Sequence, residues 1–163
     1  MKHTITILVE NEFGVLTRVA GLFSARGYNI ESLNVAPTLD ESISRMTLVT
    51  RGDERVIEQI KKQLNKLIPV IKTEDISHVV HVEREMILVK MKPDLDIGKV
   101  VYNNLAKVID DSGKGYRILE FSGTPDEIKS FVKQLEPYGI LAIARSGPVG
   151  MRRDAQPFTF NDA

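Results

Sequence analysis

Few side chains in this sequence are placed to do chemistry. The three histidines are His3, His78 and His81. His78 and His81 stand three apart, a spacing at which two ligands can share a metal, yet no third ligand follows at a familiar interval. Solvated residues in a linker are the simpler reading, and no metal is assigned. Asp94 and Asp96 fall where a helix is expected to start, and their charge suits a helix dipole better than acid–base work. Asp110-Asp111 precedes a Ser-Gly turn and reads the same way. Ser24, Ser32, Ser44 and Ser112 have no neighbouring His and Asp of a nucleophilic triad. Gly113-Lys114-Gly115 follows no phosphate-loop pattern. The chain has no cysteine, which excludes disulfides, thiolate metal sites and cysteine nucleophiles. No catalytic residue is assigned.

One stretch remains, Glu10-Asn11-Glu12-Phe13-Gly14-Val15-Leu16. It separates two periodicities. Thr4 to Val9 alternates, with Ile5, Ile7 and Val9 on one face, as a strand does. Val15, Leu16, Val19, Leu22 and Phe23 recur at helical spacing. Asn11 suits a turn, and Gly14 has access to dihedrals closed to other residues. The helix start offers unpaired N–H groups and a partial positive charge, which can hold a carboxylate without a basic side chain. The turn therefore reads as a sensor for a small carboxylate ligand.

The elements that position it follow in order. The first helix ends at Gly27. Ile30 to Ala36 and Ser44 to Thr50 read as two strands, and Pro37 to Ser44 as a polar loop. Asp53 caps a helix with a stripe of Val56, Ile57, Ile60, Leu64 and Leu67, and with Glu58 and Lys62 paired on the solvent side. Val70 to Ile76 is a strand. The order is β-α-β-β-α-β, the ferredoxin-like arrangement. From Arg84 it repeats. Met86 to Met91 is a strand, and a helix starting near Pro93 carries Ile97, Val100, Val101 and Leu105. Strands follow at Lys107 to Asp110 and Tyr116 to Phe121. Thr124-Pro125-Asp126-Glu127 opens a second helix with a capping box, and Ile140 to Ala144 is a last strand.

The fold class is α+β, two tandem ferredoxin-like βαββαβ domains at residues 1–77 and 84–146. A linker occupies 78–83, and a loosely held C-terminal tail 147–163. A domain of about 75 residues is marginal alone, so at least a dimer is expected. With 22 basic and 22 acidic residues the formal net charge is +0, which argues against nucleic acid or an acidic membrane as the main partner. No apolar run reaches the roughly 20 residues of a membrane span, and a cytoplasmic protein is expected.

Leu8 to Val19, then Gly21 to Leu33, closely resemble the regulatory (small) subunit of acetolactate synthase, also called acetohydroxyacid synthase. Val35-Ala36-Pro37-Thr38, Ser44-Arg45-Met46-Thr47, Lys62 to Leu67, His81-Val82-Glu83-Arg84-Glu85 and Ala144-Arg145-Ser146-Gly147 continue the likeness along the whole chain. The resemblance implies that the first domain is an ACT domain. It implies a subunit without an active site, which activates a large catalytic subunit and confers feedback inhibition by valine. That catalytic subunit would hold thiamine diphosphate, FAD and magnesium and form acetolactate from pyruvate, on the route to branched-chain amino acids. The valine site would lie between two ACT domains of a homodimer. Asn11 and Gly14 match its loop, and Asn29 and Ala36 match positions affecting the valine response; backbone N–H groups near Gly14, Val15 and Leu16 would take the valine carboxylate, and Ile30 would come from the partner. The alternative is a free-standing ACT-type amino-acid-binding module regulating another enzyme. A small ferredoxin-fold enzyme is disfavoured for want of an acid–base pair.

Overall fold

Apolar alternation and helical stripes divide this chain into two units, Met1–Val82 with Val149–Ala163, and Glu83–Pro148. The structure is a computed structural model and describes residues 1–93 and 95–158. The first unit runs β1 (Lys2–Glu10), α1 (Val15–Ser24), β2 (Ile30–Pro37), β3 (Ile43–Arg51), α2 (Glu54–Leu64) and β4 (Val70–Asp75). Its antiparallel sheet has the order β2-β3-β1-β4. Ile5, Ile7 and Val9 of β1 and Met46 and Leu48 of β3 project to one face. There they meet Val15, Val19 and Phe23 of α1 and Ile57, Ile60 and Leu64 of α2. Burying a side chain such as Phe23 contributes about 1.5–3 kcal/mol. Asp53 caps α2 as expected, its Oδ1 accepting from the Val56 N–H at 3.0 Å. The exposed ion pair on α2 joins Glu58 to Lys61 at 2.7 Å rather than to Lys62. Residues three apart are as close on a helix surface as residues four apart, so spacing alone does not choose between them.

The second unit holds most of β5 (His81–Met91), then α3 (Gly98–Asn103), β6 (Lys107–Asp110), β7 (Arg117–Gly123), α4 (Pro125–Leu135) and β8 (Ile140–Arg145), with strand order β6-β7-β5-β8. Ile87, Val89, Met91 and Leu119 pack against Ile128, Phe131 and Leu135. The capping box forms: Thr124 Oγ1 accepts from the Glu127 N–H, and Glu127 accepts from the Thr124 N–H. Glu85 is buried and takes two hydrogen bonds from the Arg145 guanidinium, at 2.6 and 3.0 Å. Both units are thus ferredoxin-like.

Further expectations change. The linker expected at 78–83 is cut short, because β5 already begins at His81. The helix expected from Pro93 with a stripe reaching Leu105 shrinks to the six residues of α3. Leu105 lies beyond it with φ 54° and is exposed. Gly98 at the first position and the asparagines at 103 and 104 give this segment little helix propensity. Asp96 stands at the helix start, immediately before the N-cap Ile97, and the first turn itself carries no acidic residue; Asp94 lies outside the described residues.

The last change concerns the tail. Val149–Arg152 forms β9, which runs over the sheet face of the first unit that the helices leave open. Gly150 allows that approach: a Cβ there would stand 2.7 Å from Ile76 Cδ1 and 3.4 Å from Thr4 Cγ2. The Arg45 guanidinium donates to the Gly150 carbonyl at 3.0 Å and lies 4.9 Å from the centre of the Phe158 ring. Arg152 is paired with Glu74 and Asp154. Burial pulls the Arg45 pKa down, with Glu74 opposing. β9 pairs with β5, and the Arg153 N–H donates to the Val80 carbonyl at 2.9 Å, so backbone pairing and polar partners hold a segment that has no apolar stripe.

Candidate functional site

The turn between β1 and α1 is built by its neighbours. The Glu10 N–H donates to the Pro69 carbonyl at 2.8 Å, and the Asn11 N–H to the Ser42 carbonyl at 2.7 Å. Asn11 Nδ2 donates to the Glu41 carbonyl at 2.9 Å. The β1–α1, β2–β3 and α2–β4 connections are thereby tied together at one end of the sheet. Asp40 braces the middle connection, accepting from both the hydroxyl and the N–H of Ser42. Those two bonds, the hydroxyl's foremost, hold the Asp40 pKa below its ordinary value of 3.8. At the tips stand three large apolar side chains almost wholly in solvent, Phe13, Leu39 and Ile68.

Gly14 occupies the N-cap of α1 with φ 79° and ψ −4°, a left-handed conformation, and no side chain caps the helix. The first internal bond is from the Arg18 N–H to the Gly14 carbonyl. The N–H groups of Val15, Leu16 and Thr17 have no acceptor among the described residues. The Val15 side chain is buried in the core, so only its backbone can serve a ligand; Leu16 is about half exposed. Asn11 Oδ1 has no partner among the described residues. The corner thus offers N–H donors at the helix start and, three residues before Gly14, an amide fixed by its bond to Glu41, a set suited to the carboxylate and ammonium of an amino acid.

The remaining expected residues are not gathered there by one chain. β3 serves as a ruler: Ser44 pairs with Val9 and Pro37, whereas Thr50 pairs with His3 and Ile30. At about 3.4 Å per residue these ends are roughly 20 Å apart. Ala36 lies near the turn end, exposed on β2 opposite Arg45. Asn29 and Ile30 lie at the far end. Asn29 is exposed, its carbonyl accepting from Thr50 Oγ1 at 2.7 Å, and Ile30 packs partly against the core. Sequence reasoning missed Glu41, Ser42 and Pro69, which act through carbonyls and leave no trace in residue type.

The other chemistry-bearing residues stand apart. His81 Nδ1 lies 2.7 Å from the Val79 carbonyl, while His78 meets Glu54 and His3 instead. Asp110 Oδ1 accepts from the Ser112 N–H and Oδ2 from the Tyr116 hydroxyl, an arrangement local to its turn. No helix among the described residues is long and apolar enough to cross a membrane.

A βαββαβ unit with a glycine-opened helix start at its loop end, followed by a second unit of the same order, defines a protein of the ACT class. Residues 5–72 match the model of the AHAS small subunit-like ACT domain, and residues 84–154 that of the small subunit of acetolactate synthase. The chain is 46% identical over 157 residues to a probable acetolactate synthase small subunit of Archaeoglobus fulgidus, covering 94% of this chain and 98% of that one. It is 43% identical to the isozyme 3 small subunit of Escherichia coli, covering 94% and 96%. The crystal structure of the acetolactate synthase small subunit from Thermotoga maritima superposes with a TM-score of 0.86 at 35% identity, covering 94% and 98%. The chain belongs to the acetolactate synthase small-subunit family.

Proposed function

We propose that this chain is the non-catalytic regulatory subunit of an acetolactate synthase. It binds and activates a catalytic subunit that carries thiamine diphosphate, FAD and magnesium, and it transmits feedback inhibition by valine. The observation that carries the effector site is the start of α1: Gly14 is left-handed, no side chain caps the helix, and the following N–H groups are without acceptors among the described residues. These N–H groups, from Val15 and Leu16 onward, take the valine carboxylate. Asn11 Oδ1 accepts from its ammonium, an acceptor role that its bond to Glu41 leaves open.

A second copy completes the pocket. β2 is an edge strand of its sheet. Antiparallel pairing of two β2 strands across a twofold axis sets the Asn29 end of one against the Ala36–Pro37 end of the other. The partner then supplies its Asn29 amide and Ile30 side chain, and the small Ala36 side chain leaves room between them. Valine bridging two chains favours the arrangement in which both halves meet, and so biases the catalytic subunit from a distance. A coupling of about 1–3 kcal/mol gives a several-fold to hundredfold effect. The apolar tips at Phe13, Leu39 and Ile68 provide the contact with the catalytic chain.

The test mixes the purified chain with the catalytic subunit and assays acetolactate with and without valine. Activation together with valine inhibition is the expected result. An unaltered catalytic subunit points to a free-standing module, and acetolactate formation by the chain alone refutes the non-catalytic reading.

A further inference from the structure

His3 stands in phase with Ile5, Ile7 and Val9 of β1, so it faces the helix-covered side of the sheet, and it is 1% exposed. Its Nδ1 lies 2.8 Å from Asp75 Oδ2 at the end of β4, and Asp75 Oδ1 accepts from the Ser77 N–H. A carboxylate only accepts, so His3 Nδ1 carries the proton and donates it. In the neutral ring Nε2 is then a lone pair. That atom is buried and has no hydrogen-bond partner among the described residues. Buried polar atoms are nearly always satisfied, and this one lacks either a donor or a Lewis acid.

The space beside it supplies the rest. A cavity of about 190 Å³ is lined by His3, Asp75, His78, Glu54, Glu58 and Lys61. His78, in the turn after β4, faces His3 edge-on with ring centroids 5.9 Å apart. His78 Nε2 lies 3.5 Å from Glu54 Oε1 on the first turn of α2. Ligand atoms of His3, Asp75 and His78 fall within 4.8 Å of one another, and Glu54 joins the group through His78. Two imidazoles bound to one tetrahedral zinc place their centroids roughly 5 Å apart, a spacing that a small turn of the exposed His78 reaches. The start of α2 is unfavourable for a cation, and Glu54 and Asp75 offset it; Asp53 is occupied as the cap. Lys61 is neutralised by Glu58 at 2.7 Å.

The geometry points to a divalent transition-metal site of the zinc class. His3 Nε2, His78 and Glu54 are the ligands, Asp75 orients His3, and water fills the fourth position. Two imidazole nitrogens exclude magnesium and calcium as the preferred ions. The carboxylate behind His3 is the partner that metal-bound histidines ordinarily have. Bound metal joins the start of β1, the turn after β4 and the start of α2. It would therefore stiffen the end of the sheet where Thr50 holds the Asn29 carbonyl.

The experiment treats the full chain with a chelator, removes it, and titrates with Co²⁺ followed by Zn²⁺. The expected result is one Co²⁺ per chain with visible d–d absorption that Zn²⁺ abolishes, and a melting temperature raised by Zn²⁺. His78→Ala and Glu54→Gln change exposed side chains, so the fold survives, and each weakens Zn²⁺ binding at least tenfold in calorimetry. His81→Ala leaves binding unchanged. Absence of the cobalt absorption overturns the proposal, as does a His78→Ala chain that binds and is stabilised like the wild type.

Discussion

Gly14→Asp separates the fold of the turn from its binding. Gly14 has φ 79°, where a residue with a side chain pays about 1–2 kcal/mol. Aspartate tolerates this region better than most residues. Its carboxylate at a helix start returns about 0.3–1 kcal/mol. A Cβ at position 14 meets nothing within 4 Å, so there is no packing penalty within the chain. The net cost is between nothing and about 1.7 kcal/mol, at about 4–8 °C of melting temperature per kcal/mol for a domain this size. Binding fares differently, because the new carboxylate competes with the ligand's for the same N–H groups and repels it. Loss of one charge-assisted hydrogen bond, about 1.5–3 kcal/mol, moves half-saturation by valine roughly ten- to 150-fold. Calorimetry on the purified chain and inhibition of the reconstituted enzyme both read this shift. Gly14→Asn, with similar backbone tolerance and no charge, falls between the two. A folded Gly14→Asp chain with a wild-type valine midpoint would falsify the assignment of these donors.

In the second unit, Arg145→Ala leaves the buried Glu85 carboxylate without its two hydrogen bonds. The expected loss is about 3 kcal/mol by denaturant titration, and an unchanged midpoint refutes a role for the pair. Thr124→Ala removes the cap of α4 and lowers stability by about 1 kcal/mol, read from the same unit's melt. Asp40 titrates below 3.8 because Ser42 bonds its charged form. Its contribution to the β2–β3 connection is therefore complete above the unfolded pKa and is lost as pH falls through the lower folded value. Ser42→Ala returns the Asp40 pKa towards 3.8 in an NMR titration, and no movement would show that Ser42 is not the cause. Leu39→Ser and Ile68→Ser, at exposed tips, leave melting unchanged and weaken activation of the catalytic subunit; full activation by both variants removes these tips from that contact.

Legibility from sequence followed the physical origin of each feature. The alternation of Ile5, Ile7 and Val9 and the stripe of Ile57, Ile60 and Leu64 are burial patterns, and burial is what they do. Thr124 and Glu127 act through bonds inside four residues, and their capping box forms as written. Bonds between distant segments leave no such mark. Gly150 and Arg152 carry no period that marks an ordered tail, yet Thr47, Arg45 and Glu74 hold them across the sheet. His3 and Asp75 are 72 residues apart, and no spacing rule relates them. The only hint was that His3 falls in the buried phase of β1. The site residues divide in the same way: the Gly14 helix start is local and readable, while the carbonyls that brace Asn11 are supplied by loops whose residue types carry no signal.

The geometry of one sheet also constrains how such a site can regulate. The turn at Gly14 and the residues Asn29 and Ile30 lie at opposite ends of β3, roughly 20 Å apart at strand rise. An amino acid spans less than half of that. A ligand touching both sets must therefore touch two chains, and its binding energy is spent partly on holding those chains in one arrangement. Half-saturation then depends on how well the second chain is already placed, because only the competent fraction of the protein binds at full strength. Substitutions along β2, such as at Ala36, can alter the response without meeting the ligand, by changing that fraction. On the proposed placement of valine, substitutions at Gly14 act on the contact itself. The two classes differ in a measurable way: the first changes the valine midpoint together with the dimer equilibrium, and the second changes the midpoint alone.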